Sequence, residues 1–345
     1  HGAPDSTAGL AAAGSTAVLY FTSRSVSRGQ PATLVRYARA AGFASVVATA
    51  YALIQLAGLD PFVWGRTATY EGDVRIFGTL GHPNMLGAYL AMTVPLTIWL
   101  AGRARVAIER VFWALVATAS VVVIAATLSR GAWIGLAAGG LVALVLGLGA
   151  RARAGGSGGS RGSTRSSRVP AAVGASLLVV AISTFFFARS PMGPHLAERV
   201  RQIASLSAPT TQSRLHLWSA GLRMAHDHPW LGVGLDAFGT SFPRYRTAGY
   251  WHVEWGRTPN KAHNEAIQIL ATQGIVGGIA ALLVVVFAAL AILRATRGDR
   301  SARAGAVAAG ALLVAFAAQN LASFTIVALG SLAAAMAGWL SSAVP

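Results

Sequence analysis

"VFWALVATASVVVIAATLSRGAWIGLAAGGLVALVLGLGA", residues 111–150, holds one charged residue, Arg130, in forty positions. A helix needs about 17–25 apolar residues to cross a hydrocarbon core of about 30 Å. The stretch supplies two such runs, 111–128 and 132–150, joined by a turn at 129–131 too short for anything but an antiparallel helix pair. The same pattern recurs along the chain and predicts further spans at 8–22, 36–58, 84–102, 169–188, 265–293, 304–322 and 325–342. The expected fold class is therefore an all-α polytopic membrane protein with about nine transmembrane helices.

Composition agrees with this reading. The chain has 345 residues, is 54% hydrophobic and only 11% charged, and its net charge is +17; the mean hydropathy is +0.56. In a soluble protein such a charge would suggest nucleic acid, but here the arginines sit in short loops between spans, the pattern of topology signals. No nucleic-acid partner is expected, and membrane lipid is. Without cysteine there is no disulfide framework and no thiolate chemistry. The first residue is His1 and an apolar run starts almost at once, which suggests that upstream helices are missing from a single membrane domain over 1–345.

Arg24, Arg28, Arg36 and Arg39 flank one turn, Arg103, Arg105 and Arg110 a second, Arg151 to Arg168 a third, and Arg294, Arg297, Arg300 and Arg303 a fourth. Threading nine spans puts these four on one side, which the positive-inside rule makes cytoplasmic. The third, the basic Gly/Ser segment 151–168, reads as a flexible cytoplasmic loop near anionic lipid. Opposite lie a loop at 59–83, the turn at 129–131, and a long external segment, 189–264. The histidines fall on that external side. No acid stands in the middle of a span, which counts against a proton-coupled pump.

Four external stretches carry polar groups. In "RIFGTLGHPNMLGAYLAM", 75–92, Arg75 and His82 precede a helix start at Pro83 and Asn84 whose free backbone N–H groups suit an anion, or which is simply a cap after a turn. In "LSRGAWIGL", 128–136, Arg130 occupies the hairpin and either snorkels to headgroups or binds a ligand. In "SRLHLWSAGLRMAHDHPWLGVGLDAFG", 213–239, apolar residues at 215, 218, 222 and 225 predict a short interfacial helix with Trp218 and Leu222 facing the membrane. Arg214 in its first turn is a solvated charge or an anion clamp, and the "GVG" turn only faintly resembles a phosphate loop. In "KAHNEAIQILATQGIVGG", 261–278, a helix starting near Ala262 would hold His263 in its first turn, where the helix dipole favours a neutral imidazole. Asn264 and Glu265 could cap that helix or contact a sugar hydroxyl. Arginines at several helix mouths beside one base-like histidine suit transfer from a pyrophosphate-linked donor. With no paired acids to hold a divalent cation, neither a metal nor a cofactor is expected.

At these residues the chain resembles the O-antigen ligase and polymerase family, membrane enzymes that move a glycan from undecaprenyl pyrophosphate to an acceptor. "FGTLGHPNMLGAYLA", "LSRGAWIGL", "SRLHLWSAGLRMAHDHPWLGVGLDAFG" and "AHNEAIQILATQGIVGG" stand in the family's order, with its long external loop between the sixth and seventh predicted spans. The resemblance implies a helical architecture similar to C-type glycosyltransferases, with a lateral opening for the lipid donor. It implies that Arg130 and Arg214 hold the donor pyrophosphate while His263 deprotonates or orients the acceptor hydroxyl. Arg75 joins the pyrophosphate set from its place beside the Gly-rich turn. Asn264, Glu265, Trp251 and Trp255 are the candidates for acceptor or sugar contact, since aromatic faces suit sugar C–H surfaces and also the bilayer interface.

The implied partners are an undecaprenyl-pyrophosphate-linked glycan and an acceptor that is a lipid A core, a growing glycan or a protein. The implied place is the cytoplasmic (inner) membrane, with the site on its external, periplasmic side. Ligase, polymerase and protein O-oligosaccharyltransferase share these motifs. His226, His228, His252 and Glu254 match no family role, and they leave open a metal site or a lid over a sugar. A small-solute or bicarbonate transporter is the rival from another class, and a non-catalytic membrane scaffold is a third reading.

Overall fold

The computed structural model describes residues 6–28, 30–62, 69–70, 73–155, 209–254, 258–298 and 300–343. Its helices among these residues are α1 (Ser6–Ser27), α2 (Pro31–Leu56), α3 (Pro83–Arg103), α4 (Ala107–Ala126), α5 (Arg130–Gly155), α6 (Pro209–Asp227), α7 (Phe238–Tyr245), α8 (Tyr250–Val253), α9 (Glu265–Ala295), α10 (Arg300–Asn320) and α11 (Val327–Ser342). A two-residue hairpin pairs Thr69–Tyr70 with Asp73–Val74. Six described helices (α2, α3, α4, α5, α9 and α10) are long and apolar enough to cross a membrane, and α11 is apolar but 16 residues long. The protein is an all-α polytopic membrane protein. The expected span 169–188 and most of the basic loop 151–168 fall outside the described residues.

Membrane helices cannot gain from expelling water between them, so they associate through close backbone approach and interhelical hydrogen bonds. The α5–α10 seam uses the first device. Gly131, Gly135 and Gly139 repeat every four residues along α5, and a Cβ at Gly135 or Gly139 would lie 2.8 Å from the Ala315 carbonyl or 2.7 Å from that of Ala311. Around α3 the second device appears: Ser45 Oγ donates to Thr93 Oγ1 at 2.8 Å, and the Tyr89 hydroxyl to the Ala41 carbonyl at 3.0 Å. Leu86, Leu90, Met92 and Leu96 of α3 are fully buried, which makes this helix the centre of the bundle. Between α1 and α11, Ser23 Oγ donates to the Ala335 carbonyl at 2.7 Å.

Helix α9 is broken. Gly274 has φ 63 and ψ −159, a conformation open essentially to glycine alone, and it interrupts the helical ladder in the first half of the span. Non-helical backbone at membrane depth is tolerated only where protein satisfies it. Residues 229–234 do so. Val233 N and Gly234 N donate to the Ala271 and Thr272 carbonyls at 2.9 and 3.1 Å, while Ile275 N and Val276 N donate to the Pro229 and Trp230 carbonyls at 2.7 and 3.3 Å. Beyond the break, Leu282, Leu283, Val284, Val285, Val286 and Phe287 are all exposed. Six consecutive apolar residues cover every face of a helix, which is the surface a lipid-facing span presents.

One end of the bundle gathers α6, α7 and α8 with the α4–α5 turn, the start of α9 and the α10–α11 turn. The opposite end is tied by the Arg39–Glu109 ion pair at 2.7 Å and by Trp339 Nε1 donating to the Gln30 carbonyl at 3.0 Å.

Candidate active site

Arg130 is held by an over-determined turn. After α4 the chain passes through Leu128 at φ 52, a left-handed conformation costly for a branched residue. Three side chains secure it. Thr127 Oγ1 donates to the Ile124 carbonyl at 2.7 Å, Ser129 Oγ accepts from Ala132 N at 3.4 Å, and Arg75 donates twice to the Thr127 carbonyl, from Nε at 2.9 Å and Nη2 at 2.5 Å. Arg75 Nη2 also reaches Asn84 Oδ1 at 3.2 Å. Arg130 is therefore the first residue of α5 rather than part of a hairpin loop, because the turn closes at Thr127–Ser129. Its Nη1 donates to Thr211 Oγ1 at 3.0 Å.

Thr211 sits one turn before Arg214 on α6, and residues three apart share a helix face. Arg130 thus docks on the face of α6 that presents half-buried Arg214. Ser213, Leu217, Ala220 and Met224 form the buried face of α6; Leu222, expected to face the membrane, is 52% exposed, whereas Trp218, expected beside it, packs against the core. The reason is tertiary. Leu217, Ala220 and Met224 pack with Phe238, Phe242, Tyr250, Ala262 and Ala271 into a separate core at this end. That core covers the start of α9.

His263 lies just before α9, not in its first turn; Asn264 is the N-cap and the helix begins at Glu265. His263 has φ 54, and bonds on both sides hold this left-handed residue. Ala262 N donates to Gln268 Oε1 at 2.7 Å, and Asn264 Oδ1 accepts from Ile267 N at 3.2 Å. Burial lowers the imidazole from its ordinary 6.5 to about 4, with further contributions from the Arg214 guanidinium and from His82. The neutral form expected from a helix dipole arises instead from desolvation and a neighbouring cation. Neutral imidazole beside guanidinium can accept a proton or hydrogen bond throughout the physiological range.

His82 belongs to the same cluster. It is the N-cap of α3, with Nδ1 accepting from Asn84 N at 3.1 Å. The Asn84 N–H expected to meet an anion is thus already used. Burial, then the nearby Arg75 guanidinium, lowers the His82 pKa. The "GVG" N–H groups are likewise consumed, at Val233 and Gly234, by the break in α9.

Both acceptor candidates beside His263 are engaged. Asn264 Nδ2 donates to the Leu321 carbonyl at 3.0 Å, and Glu265 Oε2 accepts from Thr325 N at 3.0 Å. Trp251 stacks under Arg246, whose guanidinium carbon is 3.6 Å from the ring centroid, while Trp255 lies outside the described residues. His226 Nδ1 pairs with Asp227 Oδ1 at 3.1 Å in an exposed setting. Among the described residues no three histidine, aspartate or glutamate side chains stand close enough to hold one metal ion, so His226, His228, His252 and Glu254 do not form such a group.

The α10–α11 turn was missed by sequence reasoning. Its signal was a pair of amides, Gln319 and Asn320, closing an apolar run; both are buried. Phe324 lies edge-on to the His263 ring, with centroids 5.3 Å apart. A family model described as O-antigen ligase matches residues 114–282, and no curated protein matches. The matched segment contains Arg130, Arg214 and His263.

Proposed function

We propose that this chain, which belongs to the O-antigen ligase family, transfers a glycan from undecaprenyl pyrophosphate to an acceptor hydroxyl at the outer face of the cytoplasmic membrane. Glycan transfer is the family's chemistry. The observation that carries the finer reading is the neutral His263 beside Arg214, on the helix whose Thr211 receives Arg130. The acceptor O–H attacks the anomeric carbon, and the bond from that carbon to the pyrophosphate oxygen breaks with its electron pair leaving on pyrophosphate. His263 takes the hydroxyl proton and returns it to solvent. Arg130 and Arg214 bind phosphate oxygens and stabilise the charge that builds on the leaving group.

Arg75 acts one step back, through the Thr127 carbonyl of the turn that presents Arg130. Trp251 and Trp255 supply apolar faces for the sugar. The external placement rests on the arginine-rich loops at the opposite end. Mass spectrometry of undecaprenyl-linked glycans tests the reading, comparing wild-type cells with a His263→Ala strain of equal protein level. Accumulated donor in the variant is expected, as long chains for a ligase and as single repeat units for a polymerase. An unchanged lipid-linked pool removes His263 from the chemistry and favours the transporter.

A further inference from the structure

The proposed site is assembled from distant parts of the chain, and α6 links its two sides, through Thr211 to Arg130 and through its core to the start of α9. Arg130 opens α5 and His263 precedes α9. A second element touches both neighbourhoods. Gly131, next to Arg130, faces the α10–α11 turn: a Cβ there would make ordinary contact, 3.4 Å from the Gln319 carbonyl and 3.6 Å from Ala322 Cβ. On the other side, three consecutive residues meet the same turn. His263 packs against the Phe324 ring, Asn264 donates to the Leu321 carbonyl, and Glu265 accepts from Thr325 N.

The turn is itself braced. Asn320 Nδ2 donates to Thr325 Oγ1 at 2.9 Å, and Gln319 Nε2 donates to Asn320 Oδ1. A braced turn with fixed partners on both flanks transmits position rather than absorbing it. It also lies beyond the segment matched by the family model, which ends at residue 282.

We propose that residues 319–325 form a wedge that sets His263 relative to Arg130, with Phe324 and Glu265 as positioning residues for the transfer reaction. Asn264 and Glu265 thereby act on the turn and not on the sugar. This rests on the glycosyl-transfer reading above, so the test includes a measurement that needs no activity. The charged or titratable groups near His263 are Arg214 on α6 and His82 at the start of α3, with Lys261 and Glu265 on its own segment. Residues 319–325 contribute no titratable side chain, so a change there reaches the imidazole through packing alone.

The experiment follows histidine ring resonances against pH in protein reconstituted into nanodiscs, with His263 assigned by its loss in His263→Gln. Transfer kinetics are measured in the same preparations. Phe324→Ala is expected to move the His263 midpoint upward from about 4 toward 6.5 and to lower kcat about tenfold or more with KM little changed, because small misplacement of a reacting group is costly. Glu265→Ala is expected to lower kcat while Glu265→Gln, which keeps an oxygen for Thr325 N, restores most of it. Should Phe324→Ala not fold, Phe324→Leu and the two Glu265 variants decide. An unchanged His263 midpoint and unchanged kcat in Phe324→Ala would overturn the wedge, as would equal losses in Glu265→Ala and Glu265→Gln. A shifted midpoint in a protein with no transferase activity would retain the wedge and reject the transfer reading.

Discussion

His263 carries the chemistry in this account, and its surroundings make its behaviour testable. A base with an ordinary pKa near 6.5 would give an acid limb at that pH in kcat/KM, but with the imidazole lowered to about 4 the limb belongs near pH 4 and activity stays flat from pH 5 to 8. A measured limb at 6–7 would reject the buried, cation-flanked imidazole. The stability consequence has a definite sign. The unfolded histidine gains a proton as pH falls through 6.5 while the folded one does not until about 4, so stability is greatest above 6.5 and declines across that window. His263→Gln should flatten this dependence in thermal melts between pH 4 and 6.5. In the proposed reaction the two arginines act on developing charge, and Arg214→Gln or Arg130→Gln should each cost about 10²–10³ in kcat, the magnitude of lost electrostatic donors. Arg75→Gln should also lower kcat, because the Thr127 carbonyl would lose its double contact and the Leu128 turn would relax.

At the scale of the element, the break in α9 is the feature most sensitive to substitution. Gly274→Ala places a side chain at φ 63, a conformation that costs about 1–3 kcal/mol outside glycine, and drives the new Cβ into the Trp230 backbone. The variant should melt lower in detergent, and unchanged thermal stability would show that the 229–234 segment does not need the break. Gly139→Leu in the α5–α10 seam should likewise destabilise by about 1–3 kcal/mol or more, since overpacking forces backbone shifts. Helices were legible in the sequence where long apolar runs meet membrane thickness: 84–102 became α3 (Pro83–Arg103) and 265–293 became α9 (Glu265–Ala295). What periodicity could not supply was the direction each short helix faces. Spacing set Trp218 beside Leu222 on the membrane face of α6, but Trp218 packs against a core of Leu217 and Met224 that depends on Phe238 and Tyr250, which come later in the chain. The break at Gly274 was hidden for a similar reason, because "ATQGIVGG" continues an apolar pattern and its partners lie forty residues upstream, at 229–234.

Among the described residues, the arginine-rich turns near Arg24–Arg39, Arg103–Arg110 and Arg294–Arg303 stand at one end and Arg130, Arg214 and His263 at the other. Motif resemblance singled out these three, whereas the role of the turn between the last two predicted spans was not visible, since Phe324 and Thr325 carry no chemical signature and the amides Gln319 and Asn320 name no partner. The absence of cysteine makes orientation directly measurable: single cysteines at Thr258 and at Arg297 should react with a membrane-impermeant reagent on intact cells at the first position and not at the second. The reverse pattern would contradict an external site. The most direct test of the central claim is to incubate purified protein, in liposomes carrying the lipid-linked glycan, with an acceptor-containing membrane extract and to follow release of undecaprenyl pyrophosphate by mass spectrometry. Turnover by the wild-type protein is expected, with a loss of about 10²–10⁴ in His263→Ala, the contribution of a general base; equal release by both proteins would rule out His263 as that base.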